Sequence, residues 1–315
     1  MMDIYLSDAD GKINSVDEIC DGCWIRLIEP AEDEINHVCK FLNIEKSDIT
    51  ILLDPEETPR VEHGSDFSLV IADTPYMITD GDIETYQTIP SGFILTPKNI
   101  VSISLRRSQV LDSFAKGAVK NISTQKRTQF ILYFLYKNAG LFVNYLRMID
   151  KKTLELEKNL RKSTRNEELF HMLTLSKSLV YITNSLKGND TVLDKISVST
   201  VTSSKLTDDD RELLSDTLIE NSQALDMAQN YSATISSTMA TFASIINNNA
   251  NDTMKLFTIL AILLTFPMLV AGFFGMNVPV PFSSSVHSFI MIIAVSLGLS
   301  GILLVLALHK FRKGL

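Results

Sequence analysis

The residues with the plainest chemical meaning in this chain are small or polar side chains at heptad intervals in an apolar stretch. Asn251, Met254, Thr258, Ala261, Thr265, Met268 and Gly272 follow one another at spacings of 3, 4, 3, 4, 3 and 4. On a helix these form one stripe, the face that packed helices turn toward a shared axis. None of them is charged. A small, strongly hydrated cation gives up its water reluctantly. Neutral oxygens can contact that water shell and let the ion move on, where a carboxylate cage would hold it too long. The series closes at Gly275-Met276-Asn277, where copies of Asn277 would make a ring of amide oxygens at one mouth. Gly275 would let the chain leave the helix there, and Met276 would pack the turn. Asn251 would make a second polar ring at the other end. Met254 would make a constriction that dewets when narrow.

The elements that must position these residues are readable around them. Leu256 to Phe274 is nearly all apolar, and after Lys255 no charge appears before Lys310, Arg312 and Lys313. Nineteen residues at about 1.5 Å each cross a hydrocarbon core of about 30 Å. Pro267 lies inside this span, where a packed neighbour tolerates the lost backbone bond. A second span, Phe289 to Leu308, has Ala294, Gly298 and Gly301 as small contacts for close packing, and Ser296 and Ser300 as its polar groups. It is expected to form the outer, lipid-facing ring. The loop between the spans has no lysine or arginine, so both ends are expected in the cytoplasm and the loop outside. The start of the chain has no basic and apolar leader, so its bulk is expected to stay where it is made.

Upstream, Thr207 caps a helix with Asp208, Asp209 and Asp210 in its first turn, favourable at the positive end of the dipole. Neither proline nor glycine interrupts before Pro267 and Gly272. One helix from 208 to 274 follows, roughly 100 Å long. Carried backward, the stripe takes in Asn247, Ser244, Ala240, Ser237, Ala233, Asn230 and Asp226, while Ile235, Met239, Phe242 and Ile246 fall off it. A dry coiled coil would reverse that arrangement. The pattern predicts a wide, wet channel with the large residues packed on neighbouring helices.

The tripeptide in this setting, preceded by NDTMK and Ala271-Gly272 and followed by one span and a basic tail, resembles the CorA family of magnesium and cobalt channels. The Leu53-Asp54-Pro55 and Pro59-Arg60-Val61-Glu62 segments are similar to that family's N-terminal domain. The resemblance implies an α+β cytoplasmic domain, a long-helix stalk and two transmembrane helices in a funnel-shaped homopentamer. It implies Mg2+ uptake, with Co2+ and Ni2+ as further ions, gated by intracellular Mg2+ bound between subunits. Asp216 and Asp226 fall where relatives place acids on the long helix, with a partner carboxylate among Glu62, Asp66 and Asp73. Two features depart from the family. Pro267 lies about one position later than in relatives, and the loop VPVPFSSSVHS carries no carboxylate and one His287. Zn2+ is therefore an alternative substrate, as in zinc transporters of the same superfamily. A membrane-anchored metal sensor or scaffold that conducts nothing is a reading of another class.

The expected organisation is a cytoplasmic α/β domain at 1–120 and a helical hairpin and linker at 121–206. The stalk and first span then occupy 207–274, the external loop 275–288, the second span 289–308 and a basic tail 309–315. In the first domain, β-favouring runs lie at Met2–Leu6, Trp24–Ile28, Ser68–Ala72, Gly92–Leu95 and Ile100–Leu105, and a helix starts after Pro30. The hairpin is expected to break near 162–167 and to end at Gly188. A net charge of −8 argues against nucleic acid. No glycine-rich phosphate loop, nucleophile elbow or HExxH is present, so neither nucleotide nor enzymatic chemistry is expected. Cys20, Cys23, His37 and Cys39 imitate a zinc site. However, Cys23 opens an apolar strand, and His37 and Cys39, two apart on a helix, do not share a face. His171 reads as a packed or solvated residue.

Overall fold

The computed structural model describes the chain except residues 9–10, 65, 82, 120–121, 163–165, 199–205, 277–285 and 314–315. It falls into two compact units, Met1–Met239 and Ala240–Leu315.

The first unit is built on one seven-stranded sheet. Its strands are β1 (Met2–Ser7), β2 (Ile13–Ser15), β3 (Trp24–Ile28), β4 (Arg60–His63), β5 (Ser68–Asp80), β6 (Ile83–Leu95) and β7 (Ile100–Ser104), in the spatial order β2-β1-β3-β7-β6-β5-β4. β3 and β7 are parallel, with Trp24 opposite Ile100 and Ile28 opposite Ser104. The other neighbours are antiparallel. Every residue of β3 and β7 is buried. Strands covered on both faces are largely apolar, and the polar members here, Arg26, Ser102 and Ser104, each make a hydrogen bond.

Alternation along these strands sorts two cores. Trp24 and Ile100 face a core shared with α3 (Gln109–Ala115), α4 (Arg127–Lys162), α5 (Asn166–Val198) and Leu214 of α6 (Asp208–Phe274). Ile25, Leu27, Val101 and Ile103 face the other, closed by α1 (Glu32–Leu42) and α2 (Lys46–Thr50). Trp24 is wholly buried, stacks on Tyr5 and donates its indole N–H to Ser102 Oγ at 2.8 Å. Such a side chain brings a large apolar surface out of water, and its one polar atom is satisfied. On the α1 face, Gly92 of β6 makes a slot for Leu52, since a Cβ there would lie 2.6 Å from the leucine methyls.

β5 and β6 are each thirteen residues long, far beyond the short runs expected from sequence. Pro75 and Pro90 argue against long strands there, yet both are accommodated. Asp73, opposite Pro90, gives its backbone N–H to Asn189 Oδ1 at 2.8 Å and takes the amides of Asn138 and Asn189 on its carbonyl at 2.7 and 2.9 Å. Its peptide groups therefore point away from β6. By the two-residue repeat those of Pro75 do too, so the missing N–H costs no bond within the hairpin. The Asp73 carboxylate also turns inward, accepting from Ser185 Oγ at 2.6 Å. Burial pushes its pKa up, and the Ser185 hydrogen bond offsets this in part.

α5 does not end at Gly188 but continues to Val198. The glycine is there for space: a Cβ would lie 2.7 Å from Cγ of Pro59. In the second unit, α6 continues to Phe274 with Pro267 inside it, and α7 covers Val286–Lys313. Among the described residues α6 is the one helix long and apolar enough to cross a membrane, and α7 carries an apolar stretch, Ile290–Leu306. The inward face of α7 differs from expectation. Ser296 and Ser300, one turn apart, are buried. Ala294 and Gly298 are exposed, and a Cβ on Gly298 or Gly301 would touch nothing within 4 Å.

Two stability predictions follow from these contacts. Gly188→Ala gains up to about 1 kcal/mol of helix propensity but forces a rigid proline ring aside, a strain of about 1–3 kcal/mol. Net destabilisation in denaturant unfolding is expected, partly recovered by adding Pro59→Ala. An unchanged or raised midpoint in the single variant would refute the packing role. For Asp73, the folded state binds the proton more tightly than the unfolded one. Its contribution is present below the unfolded pKa and is lost as pH rises through the folded pKa. The Tm of Asp73→Asn minus that of the natural chain should therefore grow from pH 4 to pH 8. A constant difference would reject a buried, strained carboxylate.

Candidate permeation and metal-sensing sites

The stripe on α6 can be followed residue by residue. From Asn230 through Ala233, Ser237, Ala240 and Ser244 to Asn247 every member is exposed, while Ile235 and Phe242 are 1% and 8% exposed. One face of the helix is packed and the other, small and polar, is open. From Asn251 onward the stripe stays exposed at Met254, Thr258, Ala261, Thr265, Met268 and Gly272. There apolar neighbours such as Phe257 and Leu264 are exposed as well, and what sets the stripe apart is that Thr258 and Thr265, the polar residues of Leu256–Phe274, both lie on it.

The threonines have a defined chemistry. Thr258 Oγ1 donates to the carbonyl of Met254 at 2.8 Å, and Thr265 Oγ1 to that of Ala261 at 2.7 Å. With the proton turned back onto the helix, each hydroxyl presents only acceptor lone pairs outward. Water bound to a cation points its hydrogens away from the ion. A wall of acceptors can therefore take hydrogen bonds from the hydration shell without displacing it.

α6 ends in a turn, with Gly275 N–H bonded to the carbonyl of Ala271 at 3.0 Å and Met276 N–H to that of Phe273 at 3.4 Å. Gly275 is not in the left-handed region, and a Cβ there would make ordinary contacts with the Ala271 and Gly272 carbonyls at 3.4 and 3.6 Å. The turn itself does not demand glycine. Met276 is 54% exposed, so it does not pack the turn within one chain. Asn277 and most of the following loop lie outside the described residues.

Asp216 and Asp226 are both exposed on α6. Ten residues apart, they are separated by about 15 Å along the axis, too far to share an ion. Beside Asp216, Thr217 is buried and bonded back to the Leu213 carbonyl at 2.7 Å, so the aspartate faces outward from the packed side. The three carboxylates named as possible partners differ. Asp73 is committed to Ser185 in its own chain, and Glu62 pairs with Arg60. Asp66 is exposed. Among the described residues no three His, Cys, Asp or Glu side chains converge as a metal cluster. Asp216 belongs to no such cluster among the described residues.

Cys23 packs in the core: it is fully buried, takes the Asn99 amide on its sulfur at 3.2 Å, and burial pushes its thiol pKa up. Cys39 is likewise raised by burial. The buried asparagines that hold Asp73 carry no sequence signal, since nothing local distinguishes them from solvated ones.

Comparison with known proteins bears on the whole chain. Residues 21–313 match the family model described as CorA-like Mg2+ transporter protein. The chain is 27% identical over 295 residues to the cobalt/magnesium transport protein CorA of Methanocaldococcus jannaschii, covering 92% of this chain and 90% of that one. Its fold is similar to the complete structure of the CorA magnesium transporter from the same organism, with a TM-score of 0.81 at 24% identity over 99% and 98% of the two chains. It is also similar to the ZntB cytoplasmic domain from Vibrio parahaemolyticus, with a TM-score of 0.59 at 12% identity over 79% and 98%. An α/β unit, a helix of 67 residues with an exposed polar stripe, and a family match across nearly the full length agree: the chain belongs to the CorA-like Mg2+ transporter family.

Proposed function

We propose that this protein is a channel for hydrated Mg2+, with Co2+ and Ni2+ as further substrates, formed by five copies around the α6 stripe. The observation that carries the reading is the stripe from Asn230 to Gly272, exposed throughout, whose threonine hydroxyls present acceptors, while Ile235 and Phe242 pack on another face of the helix. Copies placed around an axis would turn that face inward. Asn277 forms the outer ring, Gly275 and Met276 complete the mouth, Asn251 forms the inner ring, and Met254 and Met268 are the apolar constrictions. α6 and α7 both cross the membrane, with Lys255 and the terminal basic cluster on the cytoplasmic side. Driving force comes from the membrane potential, about 4.6 kcal/mol per 100 mV for a divalent ion moving inward.

Regulation is placed at Asp216, and secondarily at Asp226, where intracellular Mg2+ bridges adjacent copies and favours the closed ring. Asp216 is the stronger candidate because it is exposed beside a buried turn of the packed unit. Asp66 or Glu62 of a neighbouring copy is the candidate partner. A second reading, Zn2+ conduction, rests on the acid-free segment after Asn277, which gives up the electrostatic concentration of hard cations.

Asn277→Ala is expected to reduce Mg2+ flux into liposomes at least a hundredfold while crosslinking still yields pentamers. Undiminished flux at matched incorporation would remove Asn277 from the selectivity ring. Comparing Mg2+, Co2+, Ni2+ and Zn2+ in the same assay separates the two substrate readings. For regulation, Asp216→Ala should weaken Mg2+-dependent protease protection and leave currents less inhibited by internal Mg2+. Asp216→Lys should mimic the bound cation and close the channel. If both variants keep the natural Mg2+ dependence, the sensor is elsewhere.

A further inference from the structure

The parallel pair β3 and β7 creates a topological switch point. The chain leaves β3 into α1 on one face of the sheet and leaves β7 into α3 on the opposite face. Two adjacent parallel strands whose connections part in this way leave a crevice outside their carboxyl ends, where open α/β sheets bind ligands. Here the crevice is a cavity of about 870 Å³, within the range of small-molecule sites. Ile28 and Glu29 enter it from the end of β3, and Leu105, Arg106 and Arg107 from the end of β7.

Its chemistry is uneven. Arg106 and Arg107 are exposed, and among the described residues neither has a carboxylate within ion-pair distance. The Arg106 guanidinium lies 4.6 Å from the Tyr76 ring centroid, which restrains it without consuming its donors. Tyr145, nearly buried at the back, takes the Gln109 amide on its hydroxyl at 3.1 Å. Ile28, Pro75 and Met77 add apolar surface to the same lining. Glu29, the one acid lining the cavity, holds a left-handed backbone at φ 42° with its N–H on the Ser104 carbonyl at 2.9 Å. A non-glycine residue so held is strained, a cost that recurs at binding sites.

We propose that this crevice binds a small organic phosphate. Its phosphate sits in the fork of Arg106 and Arg107, its apolar or planar body lies on Ile28, Pro75 and Met77, and a hydroxyl or amino group donates to Glu29. Guanidinium pairs grip phosphate oxygens bidentately, so no glycine-rich loop is required. The site lies in the first unit, separate from the α6 stripe and from Asp216.

The test is calorimetric titration of the detergent-solubilised full chain with AMP, adenosine and inorganic phosphate as probes. AMP should bind saturably, at least tenfold more tightly than either fragment, because each fragment engages half of the crevice. Arg106→Gln with Arg107→Gln should weaken AMP at least tenfold and flatten its salt dependence, with the unliganded Tm unchanged because both side chains are exposed. Glu29→Gln should weaken AMP and spare inorganic phosphate. No saturable AMP binding at millimolar concentration, binding indifferent to the arginine pair, or phosphate binding as tightly as AMP would each overturn the proposal.

Discussion

The parallel contact between β3 and β7 is the constraint on which the first unit depends. It joins two antiparallel halves, β2-β1-β3 and β7-β6-β5-β4, into one sheet. Parallel neighbours cannot be linked by a tight turn. The chain between Glu29 and Asn99 therefore has to make an excursion, and α1, α2 and the β4–β6 strands are that excursion. Because the pair is central, both of its faces must be covered, which places α1 and α2 on one side and α3 to α5 on the other. The hydrogen bond from Trp24 to Ser102 bridges the pair from within the larger core. Arg26, buried on the same strand, reaches Asp112 of α3 at 2.6 Å and so ties that layer to the sheet. Removing one partner there would strand a buried charge, which is costly.

α6 answers a different constraint, that one helix serve two environments along its length. In the first unit its packed face contributes Leu214, Ala224 and Ala228, and later Ile235. The small size of the two alanines permits close approach, and Asn221 caps the contact by giving its amide to the Leu186 carbonyl at 3.1 Å. The stripe lies off this face and keeps its seven-residue repeat beyond the last packed position. A repeat maintained where packing no longer requires it calls for a separate cause, and the proposed common axis among copies would supply one.

The features read correctly from sequence are those written in local chemistry. A run without proline or glycine before position 267, opened by a threonine and three aspartates, specifies a helix by itself, and it begins at Asp208. Thr207 caps it, taking the Asp210 N–H on Oγ1 at 3.2 Å. The short buried strands β3 and β7 are equally plain. What was illegible depends on distant partners. The long β5–β6 hairpin is hidden by two prolines whose harmlessness depends on which edge they face. Gly188 reads as a helix end because its neighbour Pro59 is more than a hundred positions away. At the candidate site, the stripe is legible because period is a local property. The commitment of Asp73 to its own chain is not, since it rests on Ser185, Asn138 and Asn189 meeting one strand.

That distinction bears on how metal control would be built. An aspartate enclosed in its own subunit, like Asp73, keeps its surroundings whatever neighbouring copies do. A ligand there could not bias assembly geometry, since a ligand shifts an equilibrium only by its differential affinity for the two states. Asp216 has the opposite character. It is exposed, stands on the same helix as the stripe, and among the described residues joins no cluster of three ligating side chains. Under the proposed regulation, a cation held there would be shared with another copy, and its affinity would fall as copies separate. Each tenfold preference for the close arrangement is worth about 1.4 kcal/mol, and equivalent sites around a ring add. In the proposed five-copy ring such preferences would sum to about 7 kcal/mol, more than the roughly 5.5 kcal/mol that reverses a hundredfold bias. Modest affinity at each interface is therefore sufficient for a steep response, and an incomplete site in one chain is what such a device requires.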